Sequence, residues 1–162
     1  MPRQAVYLHF ADRGDLLVAL VRFADEKRGL GKEVQKIAHA PTGVAALREM
    51  ASLQARMNPG IGAVARALDA VRHSDEAADR SWQDRLENRL RGCREIVARL
   101  TREASLRHGL NPQAATDLLW TITSLRTWED LVLHRGWTAR QYEDRVTEAL
   151  VAALTNGEQQ RR

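Results

Sequence analysis

The stretch SDEAADRSWQDRLENRLRGCREIVARLTREA, residues 74–104, decides the fold class of this sequence. Its apolar positions recur every three or four residues, at Trp82, Leu86, Leu90, Cys93, Val97, Leu100 and Ala104. That spacing is the period of one face of an α-helix. Ser74-Asp75-Glu76 adds a start signal, because a small polar residue followed by acidic residues stabilises a helix N-terminus. We therefore predict that the longest helix of the chain begins here and ends at His108-Gly109, where glycine favours a turn.

Helix start and stop signals continue through the rest of the 162-residue chain. Only 4 prolines and 10 glycines interrupt it, and no segment of strand length alternates apolar and polar residues. The other predicted helices begin near Arg13, Val44, Ile61, Asn111-Pro112 and Thr138, with breaks at Gly29-Leu30-Gly31, Pro41-Thr42-Gly43, Asn58-Pro59-Gly60 and Gly136. These signals predict an all-α protein of six or seven helices with no sheet.

The composition limits the classes of function. Cys93 is the one cysteine, so no intrachain disulfide forms, and the five histidines are too dispersed for a metal pair. No set of nucleophile, base or metal ligands points to catalysis, so we expect neither an enzyme nor a cofactor. No apolar run approaches the ~20 residues that span a bilayer, and no export signal opens the chain, so we expect a cytoplasmic protein without a membrane partner. A net charge of +4 permits nucleic-acid binding without requiring it.

A dimer is predicted from the stretch LLWTITSLRTWEDLVL, residues 118–133. Its large apolar side chains cover more than one helix face, so a helix here has to be buried both by its own domain and by a second surface. A second copy of the chain is the simplest such surface, because two-fold dimers are the commonest soluble oligomers. We predict a homodimer through the last two helices, with the interface candidates Leu125, Trp128, Val146 and Leu150.

Both ends of the chain resemble a known family. The segment RQAVYLHFADRGDLL, residues 3–17, resembles the end of the DNA-binding region of the TetR family of bacterial transcriptional regulators. In that family a recognition helix runs into Tyr-x-His-Phe and then into a helix start of the form Lys-x-x-Leu-Leu. The segment LVLHRGWTARQY, residues 131–142, is similar to the family's junction between its last two helices. The middle of the chain matches the family only in being helical.

The resemblance implies roles in DNA binding for five residues. Arg3 and Gln4 would reach base edges from the recognition helix, since arginine pairs well with guanine and glutamine with adenine. Tyr7 and His9 would contact phosphates, and Arg13 would keep a positive charge where the family usually has lysine. The alternative is that Tyr7 and Phe10 cover the core and that Arg3 and Gln4 are ordinary residues facing solvent.

The sequence starts inside this recognition helix, so we expect the two helices that support it in a helix-turn-helix to be missing. We therefore expect the chain as given not to bind duplex DNA sequence-specifically, and operator DNA to be a partner of a full-length parent. In family terms, residues 1–38 are a remnant of the DNA-binding region. Residues 39–157 are a ligand-binding and dimerisation domain, and residues 158–162 are a frayed tail.

The resemblance also implies a function, which is transcriptional regulation by a repressor that senses a small molecule. The middle helices surround the ligand in the family, and their candidate pocket residues here are Met50, Leu53, Met57, Trp82, Leu86, Trp120 and Thr123. Methionine and tryptophan suit irregular apolar ligands, and no buried charge pattern is visible, so we expect a small apolar ligand. Plain core packing is the alternative role of each. Two other functions stay open, a dimeric helical interaction module without ligand or DNA, and a small helical enzyme.

Overall fold

A computed structural model describes Phe10 and residues 13–156. Its elements are α1 (Arg13–Lys27), α2 (Leu30–Ala38), α3 (Gly43–Val71), α4 (Glu76–Arg102), α5 (Pro112–Ile122), α6 (Leu125–Trp128), a π-helical segment (Glu129–His134) and α7 (Ala139–Leu154). The described residues form no strand, and one isolated β-bridge joins Leu106 to Thr155. None of their helices is long and apolar enough to cross a membrane. The predicted all-α fold is confirmed.

Polar side chains cap four helices where the sequence predicts a start. Thr42, Asp75 and Asn111 each accept a hydrogen bond from a backbone N–H two or three residues further on, at 2.7–3.1 Å. Thr138 does the same for Gln141, whose side-chain oxygen accepts the Thr138 N–H in return. These caps satisfy backbone donors that have no partner inside a helix. The local signals therefore place these four helix starts correctly.

Helix α3 continues through Asn58-Pro59-Gly60, where the sequence predicts a break. Proline has no N–H, so the carbonyl of Ala55 loses its helical partner. The helix continues because apolar side chains are buried on both sides of the proline, with Met57 before it and Leu68 after it. Tertiary burial on both sides therefore outweighs a local cost of about 3 kcal/mol.

Helix α4 ends at Arg102, before the predicted end at His108-Gly109. Ala104 takes a left-handed backbone conformation with φ of +50°, which terminates the helix. The loop that follows is attached to the end of α7, because the Arg107 N–H donates to the Leu154 carbonyl at 2.9 Å. These loop contacts replace the last turn that the sequence predicts for α4.

The single helix predicted over residues 112–134 is divided into three segments. The Ser124 hydroxyl accepts the Thr127 N–H at 3.1 Å, and this cap starts α6 as a separate element. Such a side-chain bond competes with the helical backbone ladder, which explains the break. The residues that follow α6 wind as a π-helix, an uncommon form.

The core consists of a main cluster and a smaller one. The main cluster contains residues of α3, α4, α5, α6 and α7. Its fully buried side chains include Leu47, Cys93, Leu100, Leu119, Tyr142, Leu150 and Leu154. The smaller cluster, Leu17, Val21, Leu68 and Ala78, packs α1 against α3 and α4. An ion pair between Asp25 of α1 and Arg85 of α4 adds to this contact. Helix α4 therefore runs through both clusters.

Candidate ligand-binding site

The structure divides the predicted pocket residues between the two clusters. Met50, Leu53, Met57 and Trp120 belong to or pack against the main cluster, Thr123 is fully buried, and Leu86 is half-buried. Trp82 packs against the smaller cluster instead, with the Arg72 guanidinium 5.8 Å from its ring centroid. Helices α3 and α4 are antiparallel, so the start of α4 lies beside the end of α3. Trp82 therefore lies apart from Met50 and Met57, with which the sequence groups it as a pocket candidate.

Arg89, Trp120 and Tyr142 form a polar group at the main core, which we call the central cluster. They come from α4, α5 and α7. The Arg89 guanidinium carbon lies 4.3 Å from the Trp120 ring centroid, and its Nη1 donates to the Trp120 carbonyl at 2.6 Å. The Tyr142 ring packs edge-on against Trp128, with centroids 4.8 Å apart. Three helices thus bring a cation, an indole and a phenol to one region of the core.

Two donors of the central cluster are buried without a partner. The Trp120 Nε1 atom and the Tyr142 hydroxyl have almost no accessible surface, and neither has a hydrogen-bond partner among the described residues. Among the described residues, no carboxylate forms an ion pair with Arg89. An unpaired buried polar group costs about 1–3 kcal/mol, and folded proteins normally avoid it. The central cluster is therefore the strongest candidate for a site where a ligand supplies the missing acceptors.

Burial sets the electrostatics of the central cluster. Desolvation lowers the pKa of Arg89, yet a guanidinium stays protonated at neutral pH. Burial raises the pKa of the Cys93 thiol to about 11, and it raises the pKa of the Tyr142 hydroxyl above its ordinary value of 10.0. The positive charge of Arg89 opposes both of these shifts. At neutral pH the region therefore holds one positive charge beside a neutral phenol and a neutral thiol.

Two buried amides lie on the neighbouring helix α3. The Asn58 Nδ2 atom donates to Gln54 Oε1 at 3.4 Å, and Gln54 Nε2 faces the Met50 sulfur at 3.7 Å. The second of these contacts is weak, because a thioether is a poor acceptor. Met50 also approaches Gly92 of α4, so the antiparallel register places Gln54 near the level of Arg89. The amides therefore add hydrogen-bonding capacity close to the central cluster.

Sequence reasoning missed two candidate site residues, Tyr142 and the partly buried Arg89. Arg89 follows Glu87 in a run of alternating charges, which is typical of a solvated helix face. A signal was nevertheless present, because Arg89 lies three residues after Leu86 and four before Cys93. Residues at those spacings share a helix face, so Arg89 stands at the edge of the apolar stripe.

The Cys93 thiol is expected to be unreactive in the folded chain. A pKa of about 11 in place of 9.0 lowers the thiolate fraction at pH 8 by ~100-fold, and the thiolate is the reactive form. We expect a thiol-specific disulfide reagent to label the folded chain at least ~100-fold more slowly than the chain in urea. Because the sequence has one cysteine, the signal has a single source. Equal labelling rates in the two states would contradict the burial of Cys93.

The predicted DNA contacts Arg3, Gln4, Tyr7 and His9 lie outside the described residues. Arg13 begins α1, and its side chain also lies outside the described part. Their roles stay predictions that depend on the family resemblance.

Three of the four predicted interface residues face the core of their own chain. Trp128 and Val146 are 3% exposed and Leu150 is fully buried. A second copy cannot contact side chains that the same chain already covers, so these three are wrong as interface residues. Leu125 is partly exposed. The large apolar side chains exposed in the same region are Leu118 and Leu133.

Two open grooves on the surface contain none of the predicted pocket residues. One lies on α2 at Gly31, Lys32 and Gln35. The other lies between α3 and α7, and its lining is charged and polar: Arg48, Ser52, Glu143, Asp144, Arg145, Thr147 and Glu148. In the described ranges, no group of three His, Cys, Asp or Glu side chains could hold a metal ion. The grooves offer little apolar burial, so the central cluster is the better candidate site.

Comparison with known proteins identifies a solved structure of similar fold. A crystal structure of the transcriptional regulator FadR from Bacillus subtilis, in complex with stearoyl-CoA, superposes with a TM-score of 0.70. The match covers 94% of this chain and 82% of that chain, at 18% sequence identity. No family model and no curated protein sequence matches the chain. The likeness therefore establishes a shared all-helical fold.

Proposed function

We propose that the chain is the sensing and dimerisation part of a TetR-like transcriptional regulator, acting as a repressor under the control of a small molecule. The observation that carries this proposal is the central cluster, where buried donors of a helical core lack acceptors. The fold supports it, since the FadR structure of similar fold holds a ligand, stearoyl-CoA. The sequence resemblance at both ends of the chain supports the same family. Residues 1–38 then belong to the DNA-binding side and residues 39–157 to the sensing side.

Helix α4 provides a physical route from the ligand to the DNA-binding side. Arg89 of the central cluster lies one helical turn after Arg85, which pairs with Asp25 of α1. Helix α1 follows the segment that resembles a recognition helix. A ligand that favours one position of α4 therefore favours one position of α1, and it acts only through its different affinities for the two states.

Transcript measurements test the regulatory role in cells. We expect deletion of the gene to raise transcription of a small set of genes, and a compound that binds the chain to raise the same set in the wild-type strain only. Binding is measured first on the purified chain by thermal shift. A ligand at a hundredfold excess over its Kd stabilises the fold by about 2.7 kcal/mol. The regulatory proposal would be contradicted if a compound stabilised the purified chain while deletion of the gene left all transcripts unchanged.

The proposed dimer is tested by a charge placed on the exposed apolar surface of residues 118–133. Leu133 is 55% exposed, and arginine there would put an unpaired charge between two copies. We expect Leu133→Arg to convert a dimer into a monomer in light scattering. The matched control is Phe23→Arg, because Phe23 is 58% exposed on α1. A wild-type monomer at tens of micromolar, or a Leu133→Arg dimer, would contradict the proposed interface.

A further inference from the structure

We propose that the central cluster binds the anionic headgroup of an amphipathic ligand, a carboxylate, whose apolar part packs among the methionines of α3. This inference rests on the proposed function and names the ligand class for the same site. It replaces the uncharged ligand that the sequence predicts. Three features of the molecule support it: the charge of Arg89, the unpaired donors near it, and the apolar side chains beside them.

The described protein groups that meet the charge of Arg89 are one backbone carbonyl and the face of the Trp120 ring. The guanidinium is desolvated, and no carboxylate pairs with it among the described residues. The other partly buried arginines of the same helix, Arg85 and Arg99, pair with Asp25 and Glu103. A buried charge is costly unless an opposite charge or hydrogen bonds accompany it. A ligand carboxylate supplies both, and arginine binds carboxylates with two parallel hydrogen bonds.

The unpaired donors around Arg89 match the oxygens of such a headgroup. The indole N–H of Trp120 can only donate, and the Tyr142 hydroxyl can donate one hydrogen bond. Both groups are buried without a partner in the described part of the chain. An ionised carboxylate has about four acceptor positions, so it can receive bonds from Arg89 and from both of these donors. A cationic ligand would instead meet a positive charge and two donors.

Apolar side chains that suit the tail of the ligand lie beside the same groups. The Met50 methyl group lies near Gly92 of α4, less than one turn beyond Arg89, and Met57 is buried two turns further along α3. Methionine side chains are unbranched and have three rotatable bonds, so they can rearrange around an alkyl chain. A linear amphipathic molecule therefore fits this region better than a compact polar one does.

If Arg89 had only a structural role, its replacement would have a different effect. Its hydrogen bond to the Trp120 carbonyl satisfies an acceptor in the last turn of α5, which is a common task of arginine at helix ends. If that were the whole role, an Arg89→Gln variant would lose stability and would not change its preference among ligands. The decisive measurement is therefore charge selectivity at equal chain length.

The test compares decanoate, decanol, decylamine and decyl phosphate in calorimetric titrations of the purified chain at neutral pH. We expect decanoate to bind at least about tenfold more tightly than decanol, and decylamine most weakly. Decyl phosphate shows whether a phosphate replaces the carboxylate, and tighter binding of the phosphate would overturn the choice of a carboxylate. In Arg89→Gln we expect decanoate to lose this advantage while decanol binds within about threefold of its wild-type affinity. The matched control is Arg94→Gln, which makes the same charge change at an exposed position of α4 and should keep the advantage.

The outcomes separate this inference from the proposed function. Equal binding of decanoate and decanol, or an Arg89→Gln variant that keeps the advantage, overturns the anionic headgroup and leaves a ligand-binding protein. If none of the four compounds and no acyl-CoA binds, the proposed sensing function fails as well. Tyr142→Phe provides a second test if Arg89→Gln does not fold. This substitution removes only an unpaired hydroxyl, so we expect the melting temperature to stay unchanged. We expect the affinity for decanoate to fall several-fold and the affinity for decanol to stay the same.

Discussion

Replacing Trp128 with alanine is expected to lower the free energy of unfolding by about 3–5 kcal/mol. Trp128 is 3% exposed, and its ring meets Tyr142 edge-on at 4.8 Å. Alanine leaves a cavity among close-packed side chains and also removes the aromatic pair. Such a loss is a large fraction of the stability of an ordinary domain. Urea denaturation followed by circular dichroism measures it.

Phe23→Ala is the matched control, because Phe23 is a large aromatic residue that is 58% exposed. We expect it to cost less than about 1 kcal/mol. The comparison also separates a core position from an interface position. If Trp128 lay between two copies, the loss would depend on protein concentration, since dissociation is linked to dilution. A small loss, or one that changes on dilution, would contradict the core assignment of Trp128.

Local signals in the sequence were sufficient for the four helix starts capped by Thr42, Asp75, Asn111 and Thr138. A cap such as Thr138 involves only residues within one turn, so its hydrogen bonds are encoded where they form. The four-residue spacing of Tyr142, Val146, Leu150 and Leu154 likewise predicts one apolar face of α7, and all four side chains are buried. These features depend on sequence separation alone.

The partner of an apolar face could not be predicted in the same way. Periodicity shows that the α7 face is buried, yet it does not show whether the same chain or a second copy covers it. Val146 and Leu150 were assigned to a second copy for that reason, and α3 and the other helices of the main cluster cover them instead. The break predicted at Pro59 fails for a related reason, because a local propensity was weighed without the tertiary burial that opposes it.

The candidate site depends on which turn of one helix faces which turn of another. Arg89 contacts Trp120, and its charge acts on Tyr142, only after α4, α5 and α7 are packed, and no short motif in the sequence brings the three together. Trp82 shows the same limit, since the apolar stripe of α4 predicts its face but not its distance from Met57. The predicted pocket among the middle helices stays a prediction, and it shares Trp120 with the central cluster.

Raising the pH from 8 to 11 is expected to remove about 2 kcal/mol of stability through Cys93 alone. The thiol ionises near its ordinary pKa of 9.0 in the unfolded chain and at about 11 in the folded chain. Between these values the unfolded chain binds fewer protons than the folded chain, so the free energy of unfolding falls as the pH rises. Tyr142 acts in the same direction, because burial raises its pKa above 10.0 and the unfolded chain ionises first.

Two variants assign this alkaline loss to its groups. Cys93→Ala removes the contribution that begins near pH 9, and Tyr142→Phe removes the one that begins near pH 10. Each variant is compared with its own stability at pH 8, so differences in packing cancel. The Tyr142 hydroxyl has no partner in the described part of the chain, so Tyr142→Phe should be as stable as the wild type at pH 8 or more stable by about 1 kcal/mol. Urea titrations from pH 8 to 11 measure these changes, and a double variant that loses stability as steeply as the wild type would show that other groups govern the alkaline transition.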